Sequence, residues 1–411
     1  MSAASPSPSR QQSNARYAVL GGFLGWTFDA FDFFVLVFTV SAISRDFGRS
    51  VPAIALTITA SLATRPVGAF FFGLLADRKG RRIALMANIL FFSAMEVGSG
   101  LARSYEVFFV LRLLYGVGMG GNWGVGASLA MESVPAKWRG FVSGMFHQGY
   151  SVGNLIAAIA YYTIFPLWGW RAMFFIGAVP AILTLLLCLK IEEPEAWHEA
   201  RTDWATYRGA IYKNSRLFFY LIGLMAIMNF CSHGTQDMYP TFLQRERHFT
   251  VNDTALVTAV SMVGAIAGSF FFGWFSDRRG RRVSMVTAVL IAVAVIPLWI
   301  LAPKESVILV GAFLMQMMVQ GAWGVIPAQL NELSPPQLRG FFPGFAYQIG
   351  VLIASSVAYI EAVLAEHFTY AMAMGTLAAV LLLIDAAVIW AGPEAKGVSF
   401  LKKEQGGTGM R

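Results

Sequence analysis

The chain has 411 residues, of which 56% are hydrophobic and only 13% are charged. This composition, with a mean hydropathy of +0.59, excludes an ordinary soluble domain and indicates that most of the chain faces lipid. The formal net charge of +8 does not indicate nucleic-acid binding, because the basic residues form short clusters between apolar runs, without a basic helical face or an aromatic stacking module.

Twelve apolar runs are long enough to cross the membrane core as helices, which takes about 20 residues each. The polar stretch MSAASPSPSRQQSN before the first run lacks the pattern of a removable signal peptide, so the first run is expected to stay in the protein. Helices satisfy their own backbone polar groups, as lipid requires. The predicted spans are 17–44, 53–76, 83–102, 106–130, 141–165, 172–189, 217–243, 253–275, 283–302, 306–330, 341–363 and 367–391.

An internal repeat organises these spans into two halves. The segment GLLADRKGRRIAL, beginning at Gly73, returns as GWFSDRRGRRVSM beginning at Gly273, at an offset of 200 residues. Parallel repeats of this kind place a substrate site between the halves. The same offset relates Trp123, Gly124, Glu132, Pro135, Arg139, Gly140, Gly144 and Gln148 to Trp323, Gly324, Glu332, Pro335, Arg339, Gly340, Gly344 and Gln348.

The predicted fold class is an all-α membrane protein with twelve transmembrane helices in two six-helix bundles. A long polar stretch separates the halves and is predicted to be a cytoplasmic linker. The predicted domains are a cytoplasmic N-terminal tail 1–16, a six-helix bundle 17–190, the linker 191–216, a second six-helix bundle 217–391 and a cytoplasmic C-terminal tail 392–411.

The distribution of lysine and arginine predicts the orientation. With both termini in the cytoplasm, most basic residues fall on the cytoplasmic side, as the positive-inside rule requires. We therefore expect a multi-pass protein of a bacterial cytoplasmic membrane with both termini cytoplasmic. The basic residues left on the outer side are Arg45, Arg49, Arg103, Arg171, Arg245, Arg247 and Lys304.

Ionisable residues inside the first two spans are candidates for function, because a charge at mid-membrane costs at least about 3 kcal/mol. Asp29 and Asp32 share a face of helix 1 and are predicted proton-coupling residues. Arg65 lies deep in helix 2, and its fork-shaped guanidinium suits bidentate contact with a substrate carboxylate. A structural ion pair of Arg65 with Asp29 or Asp32 is the alternative.

A charged loop follows the second helix of each half. Its pattern, Gly-x-x-x-Asp-Arg-x-Gly-Arg-Arg, resembles the signature loop of the major facilitator superfamily, and the resemblance covers essentially the whole chain. It implies a rocker-switch carrier whose loop charges pair with neighbouring helix ends and hold one gate closed. The alternative is that these arginines only set the orientation. The residues implied in gating are Asp77, Arg81, Glu132, Arg139, Asp277, Arg281, Glu332 and Arg339.

Polar residues on helices 5 and 11 are further candidates. Tyr150 and Ser151 on helix 5 could bound the substrate, although packing between helices is an equally good use for them. Gln348 on helix 11 corresponds to Gln148 through the repeat. It resembles a superfamily glutamine in the sequence YQIG and is a candidate substrate-binding residue. Asp385 and Glu361 lie near predicted helix ends and are expected to reach water.

Helix 7 contains the sequence NFCSHGTQDMYPTFL, in which polar residues recur on one side of a helix. The spacing Asn-x-x-Ser-His-x-x-Gln-Asp-x-x-x-Thr resembles the signature of the lactate and pyruvate proton symporters, in the sialate:proton symporter branch of the superfamily. This implies that Asn229 and His233 bind substrate and that His233 and Asp237 take part in proton coupling. A polar seam that only packs against helix 11 or 12 is the alternative. Pro240 is expected to kink the helix.

Together, these residues predict a proton-coupled symporter of a short monocarboxylate such as lactate or pyruvate. Symport of sialate or another larger organic anion is an alternative, although sialate members of the branch insert two extra helices where this chain has a short linker. A non-transporting nutrient sensor is a further alternative and would be expected to carry longer tails. No phosphate-binding loop, metal-ligand spacing or nucleophile–base pair indicates an enzyme. We expect a monomer with no cofactor, and the proton as co-substrate.

Overall fold

A computed structural model describes residues 8–400, and most of the described chain is helical. Its α-helices, with no strand in the described part, are α1 Pro8–Phe47, α2 Val51–Lys79, α3 Arg81–Leu101, α4 Tyr105–Ser133, α5 Arg139–His147, α6 Gly149–Thr163, α7 Phe165–Cys188, α8 Glu195–Ala200, α9 Trp204–Lys213, α10 Ser215–Gly234, α11 Tyr239–Arg245, α12 Val251–Arg279, α13 Arg281–Ile296, α14 Glu305–Leu333, α15 Phe342–Ala354, α16 Val357–His367 and α17 Tyr370–Ala391. A π-helical turn, Pro297–Leu301, ends α13.

Nine helical stretches within residues 8–400 are long and apolar enough to cross a membrane. The predicted spans 106–130, 141–165 and 341–363 do not fall among them. The first corresponds to α4, which is buried on nearly every side and rich in glycine rather than in large apolar residues. The other two are each divided into shorter helices. The last two spans therefore lack a continuous helix of sufficient length, although α15 itself is apolar.

Three of the predicted spans are broken, at positions where the hydropathy pattern indicates continuous helices. The fifth span divides at Gln148, the seventh between Gly234 and Tyr239, and the eleventh between Ala354 and Val357. The expected kink at Pro240 is wrong in detail, because the helix already ends at Gly234. Pro240 lies in the first turn of α11 instead, where its missing N–H costs no helical hydrogen bond.

The first and second halves repeat the same close helix contact. A Cβ on Gly68 of α2 would overlap the carbonyl oxygen of Val117 on α4, and a Cβ on Gly268 of α12 would overlap that of Met317 on α14. These pairs are related by the 200-residue offset of the sequence repeat. Only a residue without a side chain lets two backbones approach this closely.

Two short helices, α8 and α9, lie against the first charged segment at Asp77. The indole of Trp197 donates a hydrogen bond to the carbonyl oxygen of Asp77 (2.9 Å), and the hydroxyl of Tyr207 donates to its carboxylate (2.9 Å). The charged segments 77–82 and 277–282 are helix ends joined at Gly80 and Gly280 rather than the expected loops, because the positive φ of one glycine is enough for the turn. We call this end of the bundle, with these two segments and helices α8 and α9, the linker end.

The expectation that Asp385 and Glu361 reach water is wrong. Each is only 1% exposed, and their carboxylate oxygens have no hydrogen-bond partner among the described residues. Position along a helix does not decide exposure here, because neighbouring helices cover both side chains. They are buried acids inside the second half of the chain.

Candidate functional site

Arg65 is buried on α2 with most of its hydrogen-bonding capacity unused. The side chain is 5% exposed, and its Nε and Nη2 atoms have no hydrogen-bond partner among residues 8–400. Its guanidinium carbon lies 5.8 Å from the ring centre of Tyr347 on α15. The alternative ion pair with Asp29 or Asp32 is not formed in this structure. The guanidinium is therefore available to an anion.

Aromatic rings from both halves surround this position. Trp123 stacks on Tyr347 at 4.5 Å between ring centres, and Trp323 meets the same ring edge-on at 6.0 Å. His147 stacks on Trp323 at 5.5 Å. The sequence interpretation did not select these four residues as site residues. The signal that could have found the tryptophans is their recurrence in the repeat, and Tyr347 directly precedes Gln348.

Tyr150 and Ser151 follow the break in the fifth span. The Tyr150 ring stacks on Trp26 at 5.7 Å, and 36% of the residue is exposed. It lies close enough to Arg65 and Asp237 to interact with their charges. Ser151 is half-buried on the next position of the same helix. The helix break at Gln148 therefore directs Tyr150 to the region of Arg65.

The polar residues of the seventh span have different surroundings. Asn229 is buried and donates to the carbonyl oxygen of Met225 (2.7 Å). His233 Nδ1 lies 3.2 Å from Asp237 Oδ2, and these side chains are 46% and 39% exposed. The pair forms across the turn that ends α10, so its geometry comes from the break rather than from a continuous helical face.

A chain of hydrogen bonds links the fifth, seventh and tenth spans. Gln320 on α14 donates to the hydroxyl of Ser232 (2.9 Å), and its Oε1 lies 2.9 Å from Nε2 of His147. Gln236 also donates to Ser232 (3.2 Å). The alternative of a seam that only packs against helix 11 or 12 therefore does not account for these contacts, which reach the other half of the chain.

A cavity of about 100 Å³ lies beside the turn that ends α10. Gln316 is 3% exposed and lines the cavity; its Oε1 has no partner among the described residues. The cavity is lined by Thr235, Gln236, Tyr239, Pro240, Thr258, Ser261, Met262, Trp299, Ala312 and Gln316. Its mixed aromatic and amide lining suits a small, partly polar molecule.

Gln348 is buried and contacts the opposite half. Its amide donates to the carbonyl oxygen of Gly120 on α4 at 3.3 Å, and its Oε1 has no partner in the described chain. The repeat-related Gln148 donates to the hydroxyl of Ser269 on α12 at 2.6 Å. Each glutamine therefore joins one half to the other, and the free Oε1 of Gln348 can accept a hydrogen bond.

Asp29 and Asp32 are completely buried on α1. None of their four carboxylate oxygens has a hydrogen-bond partner among the described residues. An unpaired buried charge is costly, and binding a proton removes that charge. Both side chains are therefore suitable proton-binding groups.

Arg112 of α4 has a carboxylate partner that the sequence interpretation did not identify. Glu96 on α3 accepts from Arg112 Nη2 at 2.6 Å, and neither side chain is exposed. Arg112 also donates to Ser99, and its guanidinium lies 4.2 Å from the ring centre of Tyr115. Arg112 is thus held within the first half of the chain by Glu96 and Ser99.

The first candidate gating cluster joins the two halves at the linker end. Arg81 contacts Asp77 at 2.5 Å and Glu132 at 2.9 Å. Asp77 accepts hydrogen bonds from the backbone N–H groups of Gly340 (2.7 Å) and Phe341 (3.1 Å), just before α15. A carboxylate at a helix N-terminus is favourable, so Asp77 fixes α2 against α15.

The second cluster repeats this arrangement with the halves exchanged. Asp277 accepts from the backbone N–H of Gly140 at 2.8 Å, and Arg281 contacts Asp277 at 2.8 Å and Glu332 at 2.8 Å. Arg139 lies 3.5 Å from Glu332. With both clusters formed, the structure is closed at the linker end.

Residues near the described C-terminal end add a contact across this closure. The ring of Phe400 lies 3.4 Å from the guanidinium carbon of Arg139 and 3.8 Å from that of Arg339. Arg139 also donates to the carbonyl oxygen of Val398 (2.6 Å). Burial lowers the pKa of Arg339 to about 10, which leaves it charged at neutral pH. Phe400 thus lies between arginines from the two halves.

Comparisons with known proteins agree with this architecture. The profile of the Major Facilitator Superfamily matches residues 22–250, more than half of the chain, and the profile described as "Sugar (and other) transporter" matches residues 210–396. The structure is similar to that of the proton:xylose symporter XylE, with a TM-score of 0.77 at 18% identity over 95% of this chain and 98% of that chain. The likeness extends over both halves.

Two curated relatives resemble most of the chain. The sialic acid transporter NanX of Escherichia coli is 29% identical over 343 residues, which cover 82% of this chain and 84% of the relative. A carboxylic acid transporter protein homolog of Saccharomyces cerevisiae is 26% identical over 375 residues, or 84% of this chain. The chain spans 61% of the length of the yeast relative.

Proposed function

This chain belongs to the major facilitator superfamily of membrane transporters, and we propose that it carries a small organic anion across the membrane together with a proton. The observation that supports this proposal is Arg65, a buried guanidinium with unused donors beside aromatic rings from both halves. A guanidinium binds a carboxylate through two parallel hydrogen bonds. Tyr150, Ser151, Asn229, His233 and Gln348 would complete the binding site.

A short monocarboxylate, such as lactate or pyruvate, is the substrate that we propose. Arg65 would bind the carboxylate, and the free oxygen of Gln348 would accept a hydrogen bond from the hydroxyl group of a hydroxy acid. Tyr347 lies beside the guanidinium, and the rings of Trp123 and Trp323 pack against Tyr347, so one side of the proposed anion site is aromatic. Resemblance to the yeast carboxylic acid transporter homolog supports a carboxylic acid as the substrate.

Proton coupling would use the acids and the histidine near the site. Asp29 and Asp32 are buried without partners, whereas His233 and Asp237 form an exposed pair. The pair would load a proton while the linker end is closed, and release would follow when the two gating clusters separate. One proton with one monoanion is electroneutral, so the membrane potential, worth about 2.3 kcal/mol per charge per 100 mV, would contribute little.

Symport of sialic acid or another larger organic acid is the second candidate. The resemblance to the sialic acid transporter NanX, at 29% identity over most of both chains, favours it. A larger substrate needs hydrogen-bond donors and acceptors away from the carboxylate. The cavity beside α10, with Gln236 and Gln316 in its lining, could supply them.

Uptake into proteoliposomes tests these candidates. Wild type and Arg65→Ala would be compared for uptake of labelled L-lactate, pyruvate and sialic acid under an inward proton gradient. We expect wild type to accumulate a short monocarboxylate, and Arg65→Ala to lose about tenfold or more of the uptake, because an Arg–carboxylate contact in a buried site is worth several kcal/mol. Arg171→Ala, which removes an arginine bound to Asp46, is the control.

Each outcome has its own consequence for the proposed substrate, the proton coupling or the role of Arg65. Accumulation of sialic acid without lactate or pyruvate would exclude the short monocarboxylate and support the second candidate. Uptake that does not depend on the proton gradient would exclude proton symport. Uptake that survives in Arg65→Ala would mean that the anion binds elsewhere, and a sizeable inward current during uptake would contradict the electroneutral stoichiometry.

A further inference from the structure

Glu361 on α16 is a buried carboxylate to which the proposed cycle gives no role. It is 1% exposed, and neither of its oxygens has a hydrogen-bond partner in the described part of the chain. Apolar side chains lie beside it, because a Cβ on Gly234 of α10 would have Val357, Glu361 and Leu381 all within 4 Å. A carboxylate inside the membrane is expensive and is a functional candidate for that reason.

Glu361 meets α10 at Gly234, the residue next to His233. A Cβ on Gly234 would lie 3.6 Å from Oε1 of Glu361, so the carboxyl group lies against the backbone at the end of α10. The same turn holds His233 and Asp237 3.2 Å apart, with their side chains 46% and 39% exposed. Glu361 also interacts electrostatically with Asp237. An accessible proton-binding pair and an inaccessible acid therefore adjoin the same backbone turn.

The other titratable groups near Glu361 do not neutralise it. Helices α10 and α17 pack against α16, and their buried titratable residues include Cys231 and Asp385. Asp385 is itself without a partner among residues 8–400, and no arginine or lysine of the described chain forms an ion pair with either acid. A proton is therefore the means by which Glu361 can become neutral.

We propose that Glu361 is an internal proton site that receives its proton from the His233–Asp237 pair. This inference rests on the proposed proton symport. In the transfer an N–H bond of the His233 imidazolium breaks and an O–H bond forms on Glu361, directly or through Asp237. His233 becomes a neutral imidazole, and the Glu361 carboxylate becomes a neutral carboxylic acid.

The burial of Glu361 explains how this proton would couple to movement. While Glu361 is ionised, the state that is closed at the linker end holds an uncompensated charge inside the protein, which is strongly unfavourable. Protonation removes that penalty, so this state binds the proton more tightly than a state in which Glu361 reaches water. A ligand shifts a conformational equilibrium only by its different affinity for the two states, and the proton would be that ligand.

The test compares Glu361→Gln with Glu366→Gln, an exposed glutamate on the same helix, in proteoliposomes. The probe is labelled L-lactate, or whichever anion the uptake panel identifies. Equilibrium exchange without a pH gradient measures binding and movement; accumulation under an inward proton gradient measures coupling. We expect Glu361→Gln to exchange but to lose about tenfold of its accumulation, within the usual range of coupling energies. Glu366→Gln should behave as wild type.

The alternatives are distinguishable. If wild type accumulates nothing under the proton gradient, the proposed symport fails. If wild type accumulates and Glu361→Gln accumulates equally well, or loses exchange and accumulation together, the inference about Glu361 is wrong. Should Glu361→Gln not fold, Glu361→Asp replaces it. Glu361→Asp should keep the ratio of protons to anions transported, and it should slow accumulation under the gradient without slowing equilibrium exchange. An unchanged rate of accumulation, or equal losses in both assays, would overturn the proposal.

Discussion

Two glutamate–arginine ion pairs of equal length lie in opposite surroundings. Glu96 and Arg112 are 2.6 Å apart with neither side chain exposed, whereas Glu106 and Arg49 are 2.6 Å apart with side chains 65% and 51% exposed. Water screens and solvates the second pair, so its contribution is small. Removing one partner of the first leaves a charge with no compensation.

We therefore predict that Glu96→Gln destabilises the protein strongly. Breaking a buried ion pair from one side costs about 3–5 kcal/mol, and thermal unfolding in detergent, followed by circular dichroism, should detect a large fall in the midpoint. Glu106→Gln is the matched control and should unfold close to wild type. Similar midpoints for the two variants would contradict the prediction.

Close helix contacts in each half depend on single glycines. Gly268 on α12 has the carbonyl oxygen of Met317 in the place where a Cβ would be, as Gly68 has that of Val117. Backbone cannot move aside as the end of a side chain can, so any substitution must separate the helices. Gly223 on α10, in contrast, has nothing within 4 Å of an added Cβ.

From this contrast we predict opposite effects of alanine at the two kinds of position. Gly268→Ala should lower stability by about 1–3 kcal/mol, the usual cost of overpacking. Gly223→Ala should be neutral or slightly stabilising, because alanine is the better helix former by about 1 kcal/mol. Thermal unfolding of both variants in detergent is the measurement, and a loss at both positions would refute the explanation.

At the scale of the whole molecule, closure of the linker end depends on contacts between residues far apart in sequence. Asp77 binds the backbone before α15, Asp277 binds the backbone in the first turn of α5, and Phe400 lies between Arg139 and Arg339. Cation–π contacts of this kind contribute about 0.5–2 kcal/mol each. Phe400 should therefore favour the closed state.

We predict that Phe400→Ala shifts the protein towards a state that is open at the linker end. Losing the two contacts should change the ratio of the states by about tenfold. Spin labels on cysteines introduced at Lys137 and Gln337, which lie on repeat-related loops, would report the distance between the halves. The natural Cys188 and Cys231 are buried. Phe400→Leu should have a similar effect, whereas Phe400→Trp should preserve the short distance; unchanged distances in Phe400→Ala would contradict the prediction.

Some features of the site follow from residue type and depth in the membrane alone. Arg65, Asp29 and Asp32 are ionisable groups within apolar runs, and the cost of a charge in lipid is enough to identify them as candidates. The repeat indicates Trp123 and Trp323 without giving them a role. Nothing local to Glu361 distinguishes it from an acid at a helix end, because its burial depends on α10 and α17.

The sequence by itself determined the superfamily, the helical membrane fold and the repeat, because hydropathy and the duplicated loops are properties of short segments. Only the tertiary structure decided where the fifth, seventh and eleventh spans break, that Arg112 pairs with Glu96, and that Arg65 stays unpaired. Those features come from packing between helices that are distant in sequence. This packing decides whether each polar group has a partner, and the local sequence pattern does not show it.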